Sequence, residues 1–192
     1  MRRFILASAS PRRKEILENA GFTFEIIVSD ADENITEELS PEATVEELAK
    51  RKALSVWEEN KDAVVFGCDT VVAIDGKILG KPKDDEEAFE MISSLSGKVH
   101  TVSTGVCICS AEKTEVFSNT TEVEFYELSD ETIKSYIATG EGKDKAGSYG
   151  IQGYGRVLIK EIKGDYFSVM GLPVSQSARV LADFGIYGKI AL

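Results

Sequence analysis

Basic side chains at the start of a predicted helix are the first residues that could do chemistry. The segment LASASPRR places Ser10 and Pro11 where an N-cap and a first helical residue belong. Arg12 and Arg13 then fall in the first turn, where the helix dipole disfavours each cation by about 0.3–1 kcal/mol. Free backbone amides, the Ser8 hydroxyl and two guanidinium groups can hold phosphate oxygens, so the segment predicts an anion site. Two solvated arginines on an exposed turn are the alternative.

Two further charged residues interrupt apolar patterns. Lys52 lies on the apolar stripe of a predicted helix, between Ala49 and Val56, so it needs either an anion or a route to water. Asp69 interrupts the apolar run AVVFGCDTVVAI, which removes its carboxylate from bulk water. A carboxylate beside a phosphate site can bind a divalent cation or accept a proton from water. A structural aspartate satisfied by backbone amides is the alternative.

The acidic loop SDADEN, which contains Glu33, resembles the opening of a calcium-binding EF-hand loop but has the wrong register. Counting from Asp30, Ile35 stands where glycine is needed and Pro41 where a bidentate glutamate belongs. One carboxylate of this loop could still share a metal ion with Asp69. A solvated acidic loop is the alternative.

Three other polar residues deserve a chemical interpretation. Lys81 precedes Pro82, which favours extended backbone and directs the lysine to the end of a hairpin strand; an exposed lysine is the alternative. Gln152 offers a donor and an acceptor on one planar amide, as reading a base edge requires, although it could equally be a turn residue. His100 has no nucleophile motif near it, which argues against a catalytic triad.

The composition limits the partners. The 192-residue chain has 22 basic and 33 acidic side chains, and its net charge of −11 disfavours nucleic acid and anionic membranes. No apolar run approaches the ~20 residues of a membrane span, and the first residues do not resemble a signal peptide. Cys68, Cys107 and Cys109 lie in apolar runs, as is typical of buried thiols in a reducing compartment. We therefore expect a cytoplasmic protein that binds a small anion.

The elements that must position these residues alternate between strands and helices. Strands are predicted at residues 4–6, 23–28, 63–74, 77–79, 99–109 and 114–126. Helices are predicted to begin at Pro11 and to span 45–57, 84–95, 129–138 and 173–184. The glycine-rich segment 140–155 is predicted to be a loop, and 157–162 and 166–170 to form a hairpin. The patterns predict a single α/β domain over residues 1–192.

These residues resemble the Maf nucleoside triphosphate pyrophosphatases, relatives of the inosine triphosphatase group. The likeness covers nearly the whole chain in ordered blocks: LASASPRR, the Glu33 loop, AKRKA, GCDTVV, LGKP, LSG, DKAGSYGIQG and GDYFSVMGLP. It implies an inosine-triphosphatase-like (Maf/HAM1) α/β fold, with a long mixed β-sheet flanked by helices and two lobes around a cleft. DKAGSYGIQG resembles the branch that hydrolyses dTTP and UTP, whereas the branch acting on 7-methylguanosine triphosphate has a glutamate-containing block where this chain has Gln152.

The resemblance also implies roles for individual residues. The triphosphate would be held by Arg12, Arg13, Lys52 and Lys81. Glu33 and Asp69 would bind a divalent cation, Mg²⁺ or Mn²⁺, and Asp69 would be the proton acceptor. Base selectivity would depend on Arg12, Thr70 and Gln152. Water would attack the α-phosphorus, releasing a nucleoside monophosphate and pyrophosphate.

Two other functions are left open by the sequence. A nucleotide-binding regulator without turnover, for example one affecting septum formation, would need the arginines and lysines but has little use for a proton acceptor at Asp69. A nucleotidyltransferase would share the same phosphate and metal site. The sequence also leaves open whether the chain forms a homodimer.

Overall fold

Seven strands form one mixed β-sheet in the computed structural model, which describes residues 2–190. The strands are β1 (Phe4–Leu6), β2 (Glu25–Ile26), β3 (Val64–Ile74), β4 (Lys77–Leu79), β5 (Val99–Cys109), β6 (Thr114–Phe125) and β7 (Ile159–Lys163). The strand order is β2-β1-β3-β5-β6-β7, with β4 paired to β3. The helices that flank the sheet are α1 (Pro11–Asn19), α2 (Pro41–Glu58), α3 (Asp85–Leu95), α4 (Asp130–Ile137), α5 (Tyr166–Met170) and α6 (Val174–Asp183). The expected mixed sheet flanked by helices is confirmed.

The chain divides into two compact units. The first contains the described residues up to Asp69, residues 104–119 and the described residues from Gly171 onward. The second contains residues 70–103 and 120–170. Strands β3, β5 and β6 each contribute residues to both units, so three of the four crossings of the chain lie within strands, and the fourth, at Met170 and Gly171, lies between α5 and α6.

The first unit is built on parallel strands. Strand β1 pairs in parallel with β2 and with β3, in register Ile5↔Glu25 and Ile5↔Val65. Helices α1 and α2 lie between these strands in the sequence, as parallel connections require. The core beneath α2 contains five residues whose side chains are fully buried: Ile5, Ala49, Ala53, Val65 and Cys107.

The second unit is built on antiparallel pairs. Strand β4 returns along the end of β3 after the turn Asp75-Gly76, and β7 pairs with β6 in register Val123↔Ile162. The buried core of this unit contains apolar and aromatic side chains from α3, α4, the strands and the segment that precedes β7: Val72, Leu79, Ile92, Leu95, Val102, Phe125, Ile133, Tyr136, Tyr149 and Leu158.

Capping side chains stand at three helix starts, and the cap predicted at Ser10 is confirmed. The side chains of Ser10, Asp84 and Ser129 accept hydrogen bonds from backbone amides three residues later, at the starts of α1, α3 and α4. Gly97, just beyond α3, has a φ of +68°, the left-handed conformation that commonly terminates a helix. None of the helices within residues 2–190 is long and apolar enough to cross a membrane.

The predicted hairpin over 157–170 is wrong in its second half. Residues 166–170 form the short helix α5 rather than a strand. The Asp165 carboxylate accepts hydrogen bonds from the amides of Phe167 at 2.8 Å and Ser168 at 3.3 Å, which caps a helix start. Strand β7 therefore pairs with β6 instead.

The structure also corrects the length of one predicted strand and adds two short turns to the predicted loop. The strand expected over 23–28 is only Glu25–Ile26, an edge strand whose outer side has no partner among the described strands. The glycine-rich loop contains two short 3-10 turns, Ala146–Ser148 and Tyr154–Val157. Its remaining backbone is irregular, as expected.

Candidate active site

Lys52 of α2 bridges two carboxylates in the first unit. Its Nζ atom lies 2.6 Å from Asp69 Oδ1 and 3.1 Å from Glu33 Oε2. The Lys52 and Asp69 side chains are only 13% and 12% exposed, whereas that of Glu33 is 63% exposed. The sequence left open whether Lys52 contacts an anion or extends to water, and in the structure it contacts carboxylates. Asp69 is withdrawn from water, and its partner is an ammonium group.

Close packing of α2 on β3 brings this pair together. Gly67 lies against the helix so closely that a Cβ there would stand 2.3 Å from the Ala49 carbonyl oxygen and 2.7 Å from the Ala53 amide nitrogen. Successive side chains of a strand point to opposite faces, so Asp69 shares the face of Gly67, and it contacts Lys52, which lies between Ala49 and Ala53 in α2. The close approach of α2 to β3 that Gly67 allows therefore places the two side chains in contact.

Arg13 is held by a second set of contacts in the same unit. Its Nε donates to the Gly171 carbonyl at 2.9 Å, and its Nη1 donates to the Ser8 hydroxyl at 3.2 Å. Cys68 Sγ donates to the same Gly171 carbonyl at 3.1 Å. Burial raises the pKa of the Cys68 thiol to about 11, although the nearby Arg13 charge acts to lower it. Arg12 precedes Arg13 in the first turn and is half-buried.

The contacts of Arg13 and the contacts of Lys52 are linked by two consecutive residues of β3. Cys68 contacts the Gly171 carbonyl that also holds Arg13, and Asp69 contacts Lys52. Of the predicted site residues, the first unit therefore brings together Ser8 with Arg13, and Glu33 with Lys52 and Asp69.

The other predicted site residues belong to the second unit. Thr70 follows Asp69 directly in β3 and is half-buried. Lys81 lies just beyond β4 and is exposed. Gln152 is half-buried in the glycine-rich loop, and its backbone carbonyl accepts a hydrogen bond from the Arg156 guanidinium.

Sequence reasoning missed the residues that hold these groups in place. Gly171 acts through its carbonyl oxygen, and the only signal was its place in the block GDYFSVMGLP. Glu141 accepts hydrogen bonds from the amides of Tyr154 and Gly155 in the glycine-rich loop. Its only signal was its place between two glycines at the start of that loop. Bonds of this kind depend on backbone groups, which side-chain patterns do not reveal.

His100 lies in the core of the second unit. Its Nε2 is 2.7 Å from the Tyr149 hydroxyl, and its ring packs edge-on against Phe125 and Tyr149. Burial lowers the pKa of His100 to about 4. A histidine in this setting supports the aromatic core rather than proton transfer to a substrate.

The carboxylates of Glu33 and Asp69 are the groups that could hold a divalent cation. Among residues 2–190, no group of three or more His, Cys, Asp or Glu side chains could form an all-protein metal site. Glu33 and Asp69 nevertheless each place an oxygen within 3.1 Å of the same cationic atom, Lys52 Nζ. One or two carboxylates, completed by water and substrate phosphate, are what Mg²⁺ usually takes from a protein.

Comparisons with known proteins agree with the likeness seen in the sequence. The family model described as Maf-like protein matches residues 3–184. A protein of Bacillus cereus (strain ZK / E33L), named dTTP/UTP pyrophosphatase, is 53% identical over 186 residues, which cover 97% of each chain. A protein of Bacillus pumilus (strain SAFR-032) with the same name is also 53% identical, over 97% of this chain and 98% of its own. Among solved structures, the Staphylococcus aureus Ham1 protein matches 64% of this chain and 71% of its own, at 15% identity and a TM-score of 0.49. The chain belongs to the Maf family.

Proposed function

We propose that this protein is a nucleoside triphosphate pyrophosphatase that hydrolyses dTTP and UTP to the nucleoside monophosphate and pyrophosphate. The observation that carries the proposal is the nearly buried contact between Asp69 and Lys52, flanked by Glu33. It provides a carboxylate, a cation and a second carboxylate within one small region, which is what hydrolysis of a phosphoanhydride requires. Relatives at 53% identity that carry the name dTTP/UTP pyrophosphatase support the same conclusion.

Asp69 would accept the proton of the attacking water. Its backbone lies within the long strand β3, and its Oδ1 is fixed by Lys52 at 2.6 Å. A base held this firmly can stay aligned with a water molecule while the bond to phosphorus forms. The α-phosphorus would be attacked, and pyrophosphate would leave.

Glu33 and Asp69 would hold the divalent cation, Mg²⁺ or Mn²⁺. When bound, such an ion supplies positive charge to phosphate oxygens and lowers the pKa of a bound water. Lys52 already balances the same two carboxylates, and its ammonium group would add to the charge facing the triphosphate.

The triphosphate would be held by Arg12, Arg13, Lys52 and Lys81, with the Ser8 hydroxyl beside them. Arg13 is the best supported of these, because Ser8 and the Gly171 carbonyl fix two sides of its guanidinium group. A planar guanidinium held in this way can present its donors to phosphate oxygens at little cost in side-chain entropy.

Base selectivity would depend on Arg12, Thr70 and Gln152. The planar amide of Gln152 can pair with the O4 and N3–H edge that thymine and uracil share.

We further propose that residues 1–192 act as one pyrophosphatase domain in the cytoplasm, with no nucleic-acid or membrane partner. Analytical sedimentation would show whether the protein is a monomer or a homodimer.

Pyrophosphate release from dTTP, UTP, dCTP and dGTP in the presence of Mg²⁺ tests the proposal. We expect turnover of dTTP and UTP to exceed that of the other nucleotides, and Asp69→Asn to lower kcat by about 100-fold or more. Asp75→Asn is a matched control, because Asp75 lies in an exposed turn with a φ of +49°, which asparagine also tolerates. Binding of dTTP without pyrophosphate release by the unmutated protein would instead favour a nucleotide-binding regulator.

A further inference from the structure

Two side chains outside the predicted site hold the loop that carries Gln152. The loop backbone between Gly150 and Gly155 makes three hydrogen bonds to side chains of residues 136 and 141. All of these residues belong to the second unit. The loop is therefore fixed through its backbone amides, on both sides of Gln152.

Glu141 holds the part of the loop that follows Gln152. Its Oε2 accepts a hydrogen bond from the Tyr154 amide at 2.5 Å, and its Oε1 accepts one from the Gly155 amide at 3.0 Å. Burial acts to raise the pKa of Glu141, but the two amides, Tyr136 and Lys145 outweigh it and lower the pKa below its usual value. The ionised carboxylate is thus the form that this loop conformation favours.

Tyr136 holds the part of the loop that precedes Gln152. Its hydroxyl accepts a hydrogen bond from the Gly150 amide at 3.1 Å and donates one to Glu141 Oε1 at 3.1 Å. Its ring is buried in the core of the second unit and is 5% exposed. Tyr136 thereby connects the loop to the buried face of α4.

The glycines of the loop make this arrangement sterically possible. A Cβ on Gly153 would stand 1.7 Å from Glu141 Oε2, and one on Gly155 would stand 2.3 Å from the Gly150 carbonyl oxygen. Gly153 has a φ of −86°, so close approach rather than an unusual backbone angle requires glycine there. Without the carboxylate, a segment so rich in glycine would have many conformations to choose from.

We infer that Glu141 and Tyr136, here called the loop clamp, are positioning residues for base selectivity. They fix the backbone at Gly150, Tyr154 and Gly155, and so hold the Gln152 amide in one orientation toward the base. The inference rests on the proposed function, because it assigns to Gln152 the reading of a pyrimidine edge. Selectivity gained from a preorganised polar group is lost when the group is free to reorient, even if the group itself is kept.

Two readouts test the loop clamp in the full-length protein: amide hydrogen exchange by NMR, and kcat/KM for dTTP relative to dCTP. For Glu141→Gln we expect exchange at Tyr154 and Gly155 to become at least about tenfold faster, and the dTTP-to-dCTP ratio to fall by about tenfold. Tyr136→Phe should act in the same direction, mainly at the Gly150 amide. Adding Gln152→Ala to Glu141→Gln should lower the ratio no further than Gln152→Ala alone, because the two changes remove one function.

The matched control is Glu90→Gln, which makes the same charge change at an exposed position of α3. It should change neither readout. Faster exchange in Glu141→Gln with an unchanged dTTP-to-dCTP ratio would overturn the link to selectivity, and unchanged exchange would overturn the clamp itself. Absence of turnover of every triphosphate by the unmutated protein would instead refute the proposed function and with it the selectivity role, while the exchange rates would still report on the clamp.

Discussion

Lys52 Nζ and Asp69 Oδ1 lie 2.6 Å apart, and both side chains are almost completely buried. The pair joins α2 to β3 at the point where Gly67 lets the helix approach the strand. Two charges withdrawn from water depend on each other, because removal of either leaves the other without a partner in a poorly solvated place. We therefore expect the same pair to contribute both to the proposed hydrolysis and to the stability of the first unit.

Replacing the lysine should show this dependence. Lys52→Met keeps much of the side-chain volume but leaves the Asp69 carboxylate without its ammonium partner. We expect the free energy of unfolding to fall by about 3 kcal/mol, and Lys52→Met combined with Asp69→Asn to recover part of that loss. Urea denaturation of the unmutated protein and of these two variants measures both effects.

The control for that experiment is Lys83→Met. The Lys83 side chain is 86% exposed, so its replacement should change the free energy of unfolding by less than about 0.5 kcal/mol. Equal, small effects of Lys52→Met and Lys83→Met would mean that the buried pair contributes little.

The sequence predicted that Lys52 is unusual but not which partner it has. Its place on the apolar stripe of α2 follows from helical periodicity alone, which is local. Asp69 is far away in the sequence, and only the packing of Gly67 against Ala49 and Ala53 determines that the two side chains meet. Local patterns thus identified both members of the pair, whereas the contact itself depends on tertiary structure.

The helix α5 and the loop clamp show what local patterns miss. Residues 166–170 are too few for helical and strand periodicity to be told apart. The Asp165 carboxylate caps the segment, which favours the helix that the structure shows. Glu141 acts on backbone amides of residues more than ten positions away, and such bonds leave no recurring side-chain pattern. Long elements such as β3, β5 and α2 were predictable because many residues contribute to one pattern.

Glu33 should govern the requirement for the divalent cation. Glu33→Gln removes one negative charge from the proposed ligand pair, so we expect the Mg²⁺ concentration for half-maximal rate to rise by about tenfold or more. Folding should be unaffected, because the Glu33 side chain is 63% exposed. The measurement is the rate of pyrophosphate release across a Mg²⁺ titration, supplemented by Mn²⁺ binding without nucleotide.

Glu37→Gln provides the matched control for the cation experiment. Glu37 is an exposed glutamate of the segment that follows Glu33, so its loss makes the same change in net charge. If the two variants shifted the Mg²⁺ requirement equally, general electrostatic attraction rather than ligation by Glu33 would account for the effect.

The buried histidine should make the protein less stable in mild acid. The pKa of His100 is about 4 in the folded protein and about 6.5 in an unfolded chain, so the unfolded chain binds more protons between these values. Stability from this residue is therefore complete above pH 6.5 and is lost as the pH falls toward 4. At pH 5 the loss should be about 2 kcal/mol.

His100→Gln isolates that effect, since glutamine can still bond the Tyr149 hydroxyl but does not titrate. Between pH 7 and pH 5 the unmutated protein should lose about 2 kcal/mol more of its unfolding free energy than His100→Gln does. Urea denaturation at both pH values gives this difference. Parallel pH dependences of the two proteins would contradict the assignment.

Gly171 should control how well Arg13 binds phosphate. The residue is buried with a φ of +113°, and its carbonyl accepts hydrogen bonds from both Arg13 and Cys68. Gly171→Ala forces a side chain into a conformation that favours glycine, which costs about 1–3 kcal/mol and shifts the carbonyl away from Arg13. We expect KM for dTTP to rise by about tenfold with a smaller change in kcat, because the lost contact orients a binding group.

A second glycine with a positive φ provides a control that distinguishes an effect on stability from an effect on phosphate binding. Gly185 also has a positive φ, of +73°, but it is exposed at the end of α6, and Arg2 is the nearest side chain to a Cβ placed there. Gly185→Ala should therefore lower the melting temperature while leaving KM for dTTP unchanged. If both alanine variants raised KM to the same extent, strain alone would explain the effect, and the carbonyl of Gly171 would have no particular part in orienting Arg13.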